Sequence, residues 1–220
     1  MEEILKLIHA LSGFIVLITG LAQIIMKKGG KAHRTIGQIY FWSWIPLIAT
    51  GALIGSLLIT FFGLLGFYMV FMGYRFGRKK SMSISVFDKA FIATFTLGAF
   101  FLLIWGILIL LLKENKTFGV VAIFFGAIFT LVTIQDFLEY IFNKKLRKLR
   151  GHKMEWYFEH FGRMYISFIA ATTAFAVIQN IFFVELLNWI LPTLIGTVLL
   201  IRTNKHYYKK FKLLDEKKPE

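Results

Sequence analysis

The forty residues from Thr35 to Tyr74, TIGQIYFWSWIPLIATGALIGSLLITFFGLLGFYMVFMGY, contain no acidic, basic or histidine side chain. A helix rises about 1.5 Å per residue and the hydrocarbon core of a bilayer is about 30 Å thick, so about 20 apolar residues cross it once. Forty positions are enough for two crossings, and Gly51, Gly55 and Ser56 mark the turn between them. This stretch therefore predicts a pair of membrane-spanning helices.

The rest of the chain repeats the pattern. Residues 10–26, 90–112, 117–135, 164–184 and 186–201 also lack acidic and basic side chains, and 57% of the 220 residues are hydrophobic. We therefore predict an all-α, polytopic transmembrane helical bundle of about seven spans, with a single transmembrane domain over residues 1–203 and a basic cytoplasmic tail over residues 204–220. The predicted spans cover residues 4–26, 36–55, 57–76, 90–112, 117–142, 156–181 and 186–203. A re-entrant segment is the alternative for the seventh, because its uncharged core is short and contains Pro192.

The distribution of basic residues predicts the orientation. When successive connections are assigned to alternate sides, 23 of the 26 lysines and arginines fall on one side. Cytoplasmic loops carry the excess of basic residues, so we predict the N-terminus outside and the C-terminus in the cytoplasm of a bacterial inner membrane. The net charge of +14 then indicates contact of the loops and tail with anionic lipid headgroups rather than nucleic-acid binding.

Ionisable side chains inside the spans are the candidate functional residues, because burying them in lipid is costly. Counted along the helices, His9 lies about 27 Å from the cytoplasmic end, near the outer surface, whereas Asp136 lies about 12 Å inside the cytoplasmic face. Glu139, His160 and Arg163 share the cytoplasmic half with Asp136. His160 and Arg163 also lie on one face of their helix, three residues apart.

These positions predict a polar pocket that opens to the cytoplasm. In this hypothesis Asp136, Glu139, His160 and Arg163 bind a small ligand or handle a proton, and His33 and Arg34 of the first loop cover the pocket. The alternative is a structural ion pair between Asp136 and Arg163, with His160 as a hydrogen-bonded interfacial side chain.

Three functions remain open from the sequence. The leading hypothesis is a membrane protein that binds or transports a small ligand or ion; the others are a membrane-embedded metal- or haem-dependent enzyme and a structural or partner-binding subunit. A bis-histidine haem is disfavoured because His9 and His160 lie at opposite membrane faces. His33, His152 and His160 are weak zinc candidates, since their spacing is not a recognised ligand pattern. The absence of cysteine excludes thiolate metal sites and disulfides.

Several short motifs add a family resemblance. The most specific are His-Arg-x-x-Gly-x-x-Tyr at residues 33–40 and His-x-x-x-Met at residues 160–164. The others are HALSGF at 9–14, MGYR at 72–75, AATTAF at 170–175 and WILP at 189–192. Together they make residues 9–210 similar to an uncharacterised family of bacterial multi-pass membrane proteins. The resemblance implies an integral membrane protein with no assigned reaction or cofactor, and it points to His9, His33, Arg34, Asp136 and His160.

Overall fold

The computed structural model describes residues 1–112, 116–147, 149 and 151–211, and its regular structure in these ranges is entirely α-helical. The prediction of an all-helical fold is confirmed. The helices are α1 (Glu2–Ile25), α2 (Lys31–Ile54), α3 (Leu57–Lys79), α4 (Val86–Leu112), α5 (Lys116–Tyr140), α6 (Glu155–Gln179) and α7 (Glu185–Lys210).

The most closely packed pairs of helices run in opposite directions. His9 of α1 contacts Thr50 near the end of α2, and Gly20 near the end of α1 packs beside Tyr40 in the first half of α2. The same antiparallel pairing relates α3 to α6, α4 to α5 and α6 to α7. The C-termini of α1, α3, α5 and α7 therefore meet the N-termini of α2, α4 and α6 at one end of the bundle. We call it the basic end, because the connections there carry most of the lysines and arginines.

Two helix boundaries differ from the predicted ones near the candidate site and the tail. Helix α2 begins at Lys31, directly after the turn at Gly29, whose φ of 82° suits glycine, so His33 and Arg34 lie in the first turn of a helix. Their assignment to a loop was wrong. Helix α7 continues to Lys210, which makes the first residues of the predicted tail helical, whereas residues 212–220 lie outside the described part of the chain.

Glycines let the helices at the centre of the bundle approach closely. A Cβ atom added at Gly73 of α3 would lie 3.0 Å from Cβ of Arg163 and 3.2 Å from the backbone nitrogen of Met164 on α6. One added at Gly77 would collide with the His160 ring. Helices α4 and α5 meet in the same way at Gly106 and Gly126. Small residues at such crossings allow backbones to pack without large side chains between them.

The bundle is apolar outside and partly polar inside. Large hydrophobic side chains cover the outer faces of α1 and α4, where Phe14 and Leu97 are 62% and 72% exposed, respectively. Asp136, Thr133 and Ser167 are fully buried. Soluble proteins rarely expose such extensive apolar surface. Within the described ranges, six helices are long and apolar enough to cross a membrane, which indicates a membrane protein; α2 is not among them.

Candidate functional site

Asp136 is the centre of a buried group of charges at the basic end. Arg163 of α6 donates from Nη1 to Oδ2 of Asp136 at 2.8 Å and from Nη2 to Oδ1 at 2.7 Å. The hydroxyl of Tyr68 on α3 also donates to Oδ2. Paired, parallel hydrogen bonds between a guanidinium and a carboxylate are strong and directional. Through its contacts with Tyr68 and Arg163, the Asp136 side chain joins α3, α5 and α6.

Arg147, in the connection between α5 and α6, joins three carboxylates. Its Nη2 lies 2.5 Å from Oδ1 of Asp136, its Nη1 lies 2.5 Å from Oε2 of Glu139, and its Nε lies 3.1 Å from Oε1 of Glu159. Glu139 also accepts the backbone N–H of Leu146 and of Arg147, at 3.1 and 2.6 Å. Burial lowers the pKa of Arg147, but the Asp136 and Glu159 carboxylates more than offset this effect and raise it overall.

Glu159 completes the group. Its Oε2 accepts Nε and Nη2 of Arg163 at 2.9 and 2.8 Å, across one turn of α6. Asp136, Glu139 and Arg163 are buried, whereas the side chains of Arg147 and Glu159 retain 14% and 16% exposure. We call Asp136, Glu139, Arg147, Glu159 and Arg163 the charged cluster.

A cavity of about 490 Å³ lies beside the charged cluster, among α3, α5, α6, α7 and the α5–α6 connection. Arg147, Glu159 and Arg163 contribute to its wall, and Gln135, Asn204 and other polar residues add to it. Oδ1 of Asn204 is buried there without a hydrogen-bond partner among the described residues. We call this space the cluster cavity.

His160 lies away from the charged cluster, although Arg163 is only one turn further along α6. Its Nδ1 donates to the backbone oxygen of Gly73 at 2.8 Å, because a carbonyl can only accept. With His33, Gln23 and Lys28 it lines a second cavity, of about 60 Å³, between α1, α2 and α6. We call this space the histidine cavity. The structure thus brings Asp136, Glu139 and Arg163 together and places His160 with His33.

The ends of α1 and α2 shape the histidine cavity. Nζ of Lys28 donates to the backbone oxygens of Gln23 and Ile24, the second at 2.7 Å, and thereby caps α1. Burial lowers the pKa of Lys28. Nε2 of Gln23 donates to the backbone oxygen of His33 at 2.8 Å, which holds the start of α2 against the end of α1.

The other predicted residues occupy separate places. His9 lies at the opposite end of the bundle, where its Nδ1 is 3.2 Å from the Leu47 oxygen and 3.1 Å from Oγ1 of Thr50. Arg34 is exposed on the first turn of α2. His152 lies in the α5–α6 connection, where its Nδ1 accepts the N–H of Met154 at 3.0 Å. Within the described ranges, no three histidine or carboxylate side chains come together in a way that could hold a metal ion.

Three residues of this site were not identified from the sequence: Glu159, Arg147 and Tyr68. Glu159 and Arg163 are four residues apart on a helix, and this spacing by itself favours an ion pair. Arg147 lies in a basic loop whose composition indicates only membrane orientation, and nothing in a loop sequence shows which arginine turns inward. Tyr68 lies in a fully apolar stretch, so no sequence signal distinguishes its hydroxyl from those of other tyrosines.

Comparison with protein-family models, with curated proteins and with solved structures finds no match to this chain. The resemblance to a bacterial membrane protein family therefore stays a prediction, and the functional argument depends on the geometry of the site.

Proposed function

We propose that this chain is an integral membrane protein that binds a small polar ligand or ion in the cluster cavity. The observation that supports the proposal is a cavity of about 490 Å³ whose wall contains Arg147, Glu159 and Arg163. Small-molecule sites typically measure about 300–1,000 Å³ and combine apolar walls with a few convergent polar groups. The apolar side chains of Met69, Val132 and others complete such a wall here.

The proposed topology has seven spans, with the basic end in the cytoplasm of a bacterial inner membrane and the N-terminus outside. Helix α2 packs between α1 and α3, both of which are candidate spans, and runs antiparallel to each. A 24-residue helix in that position measures about 36 Å, enough to cross the hydrocarbon core. The cluster cavity would then open toward the cytoplasm, and the basic connections would meet anionic headgroups.

Reporter fusions test the topology. Alkaline phosphatase, which folds only outside the cytoplasm, should be inactive when fused after Phe211 and active when fused after Leu112, whereas green fluorescent protein should show the reverse. The same activity from both alkaline phosphatase fusions would contradict the alternation of helices across the membrane.

Ligand-dependent stabilisation tests the cavity. The full chain in detergent is unfolded thermally with sodium phosphate, bicarbonate, acetate, and the chlorides of ammonium, potassium and magnesium at matched ionic strength. A ligand at 100 times its Kd adds about 2.7 kcal/mol to the stability of the folded state. We expect one of these ions to raise the unfolding temperature of the native chain and of the control Gln38→Leu, but not of Asn204→Leu. Gln38 is exposed and lines neither cavity.

Asn204→Leu changes the cavity wall without removing a member of the charged cluster. If this variant loses the stabilisation by the ion, the loss therefore reports weaker binding and not a disrupted charged cluster. If every ion acts equally on native chain and variant, the charged cluster has a structural role and the proposed binding is wrong.

A further inference from the structure

The histidine cavity contains three side chains with donor atoms suited to a soft metal ion. His33, His160 and Met164 all line it. A Cβ atom added at Gly73 would lie 3.2 Å from Sδ of Met164, so the thioether lies next to the residue whose oxygen binds His160. His33 and His160 are also close enough for the charge on one imidazole to affect the other.

His160 is held in the orientation that metal-binding histidines usually have. Its Nδ1–H donates to the Gly73 oxygen, and α3 approaches closely enough at Gly77 to contact the same ring. In the neutral imidazole, this hydrogen bond places the proton on Nδ1 and leaves the lone pair on Nε2. Metal-ligating histidines commonly donate their other N–H to a backbone carbonyl in this way.

His33 supplies a second nitrogen without a competing partner. Its Nδ1 is buried and makes no hydrogen bond to the described residues, which is unusual for a buried polar atom. The hydrogen bond from Gln23 to the His33 backbone oxygen fixes the position of this turn of α2. Burying an unpaired imidazole nitrogen is costly, and a bound ion would relieve that cost.

We propose that the histidine cavity binds one Cu⁺ ion through His33, His160 and Met164. Thioether sulfur favours Cu⁺ over harder ions, and imidazole also suits copper. Among the described residues, no carboxylate lines the cavity, whereas Lys28, whose ammonium group caps the end of α1, does. A monovalent ion experiences half the Coulomb repulsion from that ammonium that Zn²⁺ would. The proposal is independent of ligand binding in the cluster cavity.

Competition with a chromogenic Cu⁺ chelator tests the site. The purified full chain in detergent is titrated anaerobically with Cu⁺, with ascorbate and bicinchoninate present. We expect one Cu⁺ per chain, and affinity lower by about tenfold or more in Met164→Leu and in His160→Asn. Met164→Leu nearly conserves side-chain volume, so the variant should stay folded.

Two control variants and X-ray absorption spectroscopy complete the test of the Cu⁺ site. Met72→Leu alters a buried methionine that does not line the histidine cavity, and His9→Asn alters a histidine at the opposite end, so neither should change the affinity. X-ray absorption should show nitrogen and sulfur ligands in the native chain and nitrogen alone in Met164→Leu. Cu⁺ binding that Met164→Leu leaves unchanged, no Cu⁺ binding at all, or displacement of Cu⁺ by equimolar Zn²⁺ would each overturn the proposal.

Discussion

Replacing Asp136 with asparagine should be among the most destabilising conservative changes in this chain. The carboxylate is fully buried and accepts hydrogen bonds from Arg163, Arg147 and Tyr68. Asparagine keeps the shape but removes the charge that both guanidinium groups contact. Breaking a buried ion pair by removing one partner costs about 3–5 kcal/mol, because the other charge stays buried without compensation.

The remaining contacts place the expected cost near the lower limit of that range. Among the described residues, Arg147 keeps Glu139 and Glu159 as carboxylate partners, whereas Arg163 keeps only Glu159 and shares it with Arg147. We therefore expect Asp136→Asn to lower the free energy of unfolding by about 3 kcal/mol. Chemical unfolding in mixed detergent micelles, followed by tryptophan fluorescence, measures this quantity.

A double-mutant cycle identifies the source of the loss. Asp136→Asn combined with Arg163→Met should cost less than the sum of the single changes, with a coupling energy of about 2 kcal/mol or more, since residues in one buried network couple by up to about 3 kcal/mol. The separate ion pair between Arg75 and the buried Asp88 shares no residue with this network, so Asp88→Asn should be additive with Arg163→Met. A loss below about 1 kcal/mol for Asp136→Asn, the cost of an ordinary neutral hydrogen bond, would refute the reasoning.

Two further changes test helix packing at specific contacts. Gly77→Ala should destabilise the protein by about 1–3 kcal/mol, because the added Cβ collides with the His160 ring, whereas Gly162→Ala meets no atom within 4 Å and should leave thermal stability unchanged or slightly raised. Equal melting temperatures for the two variants would contradict the α3–α6 contact. Tyr40→Phe removes a buried 2.8 Å hydrogen bond to Ser167 and should cost about 1 kcal/mol in chemical unfolding. The same loss from Tyr40→Phe in a Ser167→Ala background would show that this bond contributes nothing.

The outline of the fold could be predicted from the sequence because hydrophobicity and charge are properties of local stretches. Uncharged stretches predicted the positions of the helices, including the seventh, for which a re-entrant segment was the alternative. The structure shows one continuous helix there, from Glu185 to Lys210, despite Pro192. The same local reasoning failed at the start of α2. The mostly polar stretch from Lys31 to Arg34 resembles a loop in composition, yet it follows Gly29–Gly30 as a regular first turn of α2.

The candidate site could be predicted only in part. Depth along a helix correctly put Asp136, Arg163 and His160 in one half of the bundle, because helical rise is constant. Depth does not specify the direction in which a side chain leaves the helix. Arg163 contacts Asp136, whereas His160 points elsewhere and binds the backbone oxygen of Gly73.

Hydrophobicity and charge along the chain are enough to predict a helical bundle with an apolar exterior, a basic end and a few ionisable groups buried inside. Which of those groups contact one another depends on how the helices pack. Arg147 reaches three carboxylates through the path of a loop, and His33 joins His160 because α1, α2 and α6 converge there. Such contacts depend on the rotation and crossing of helices remote in the chain, which no local pattern of hydrophobicity or charge encodes.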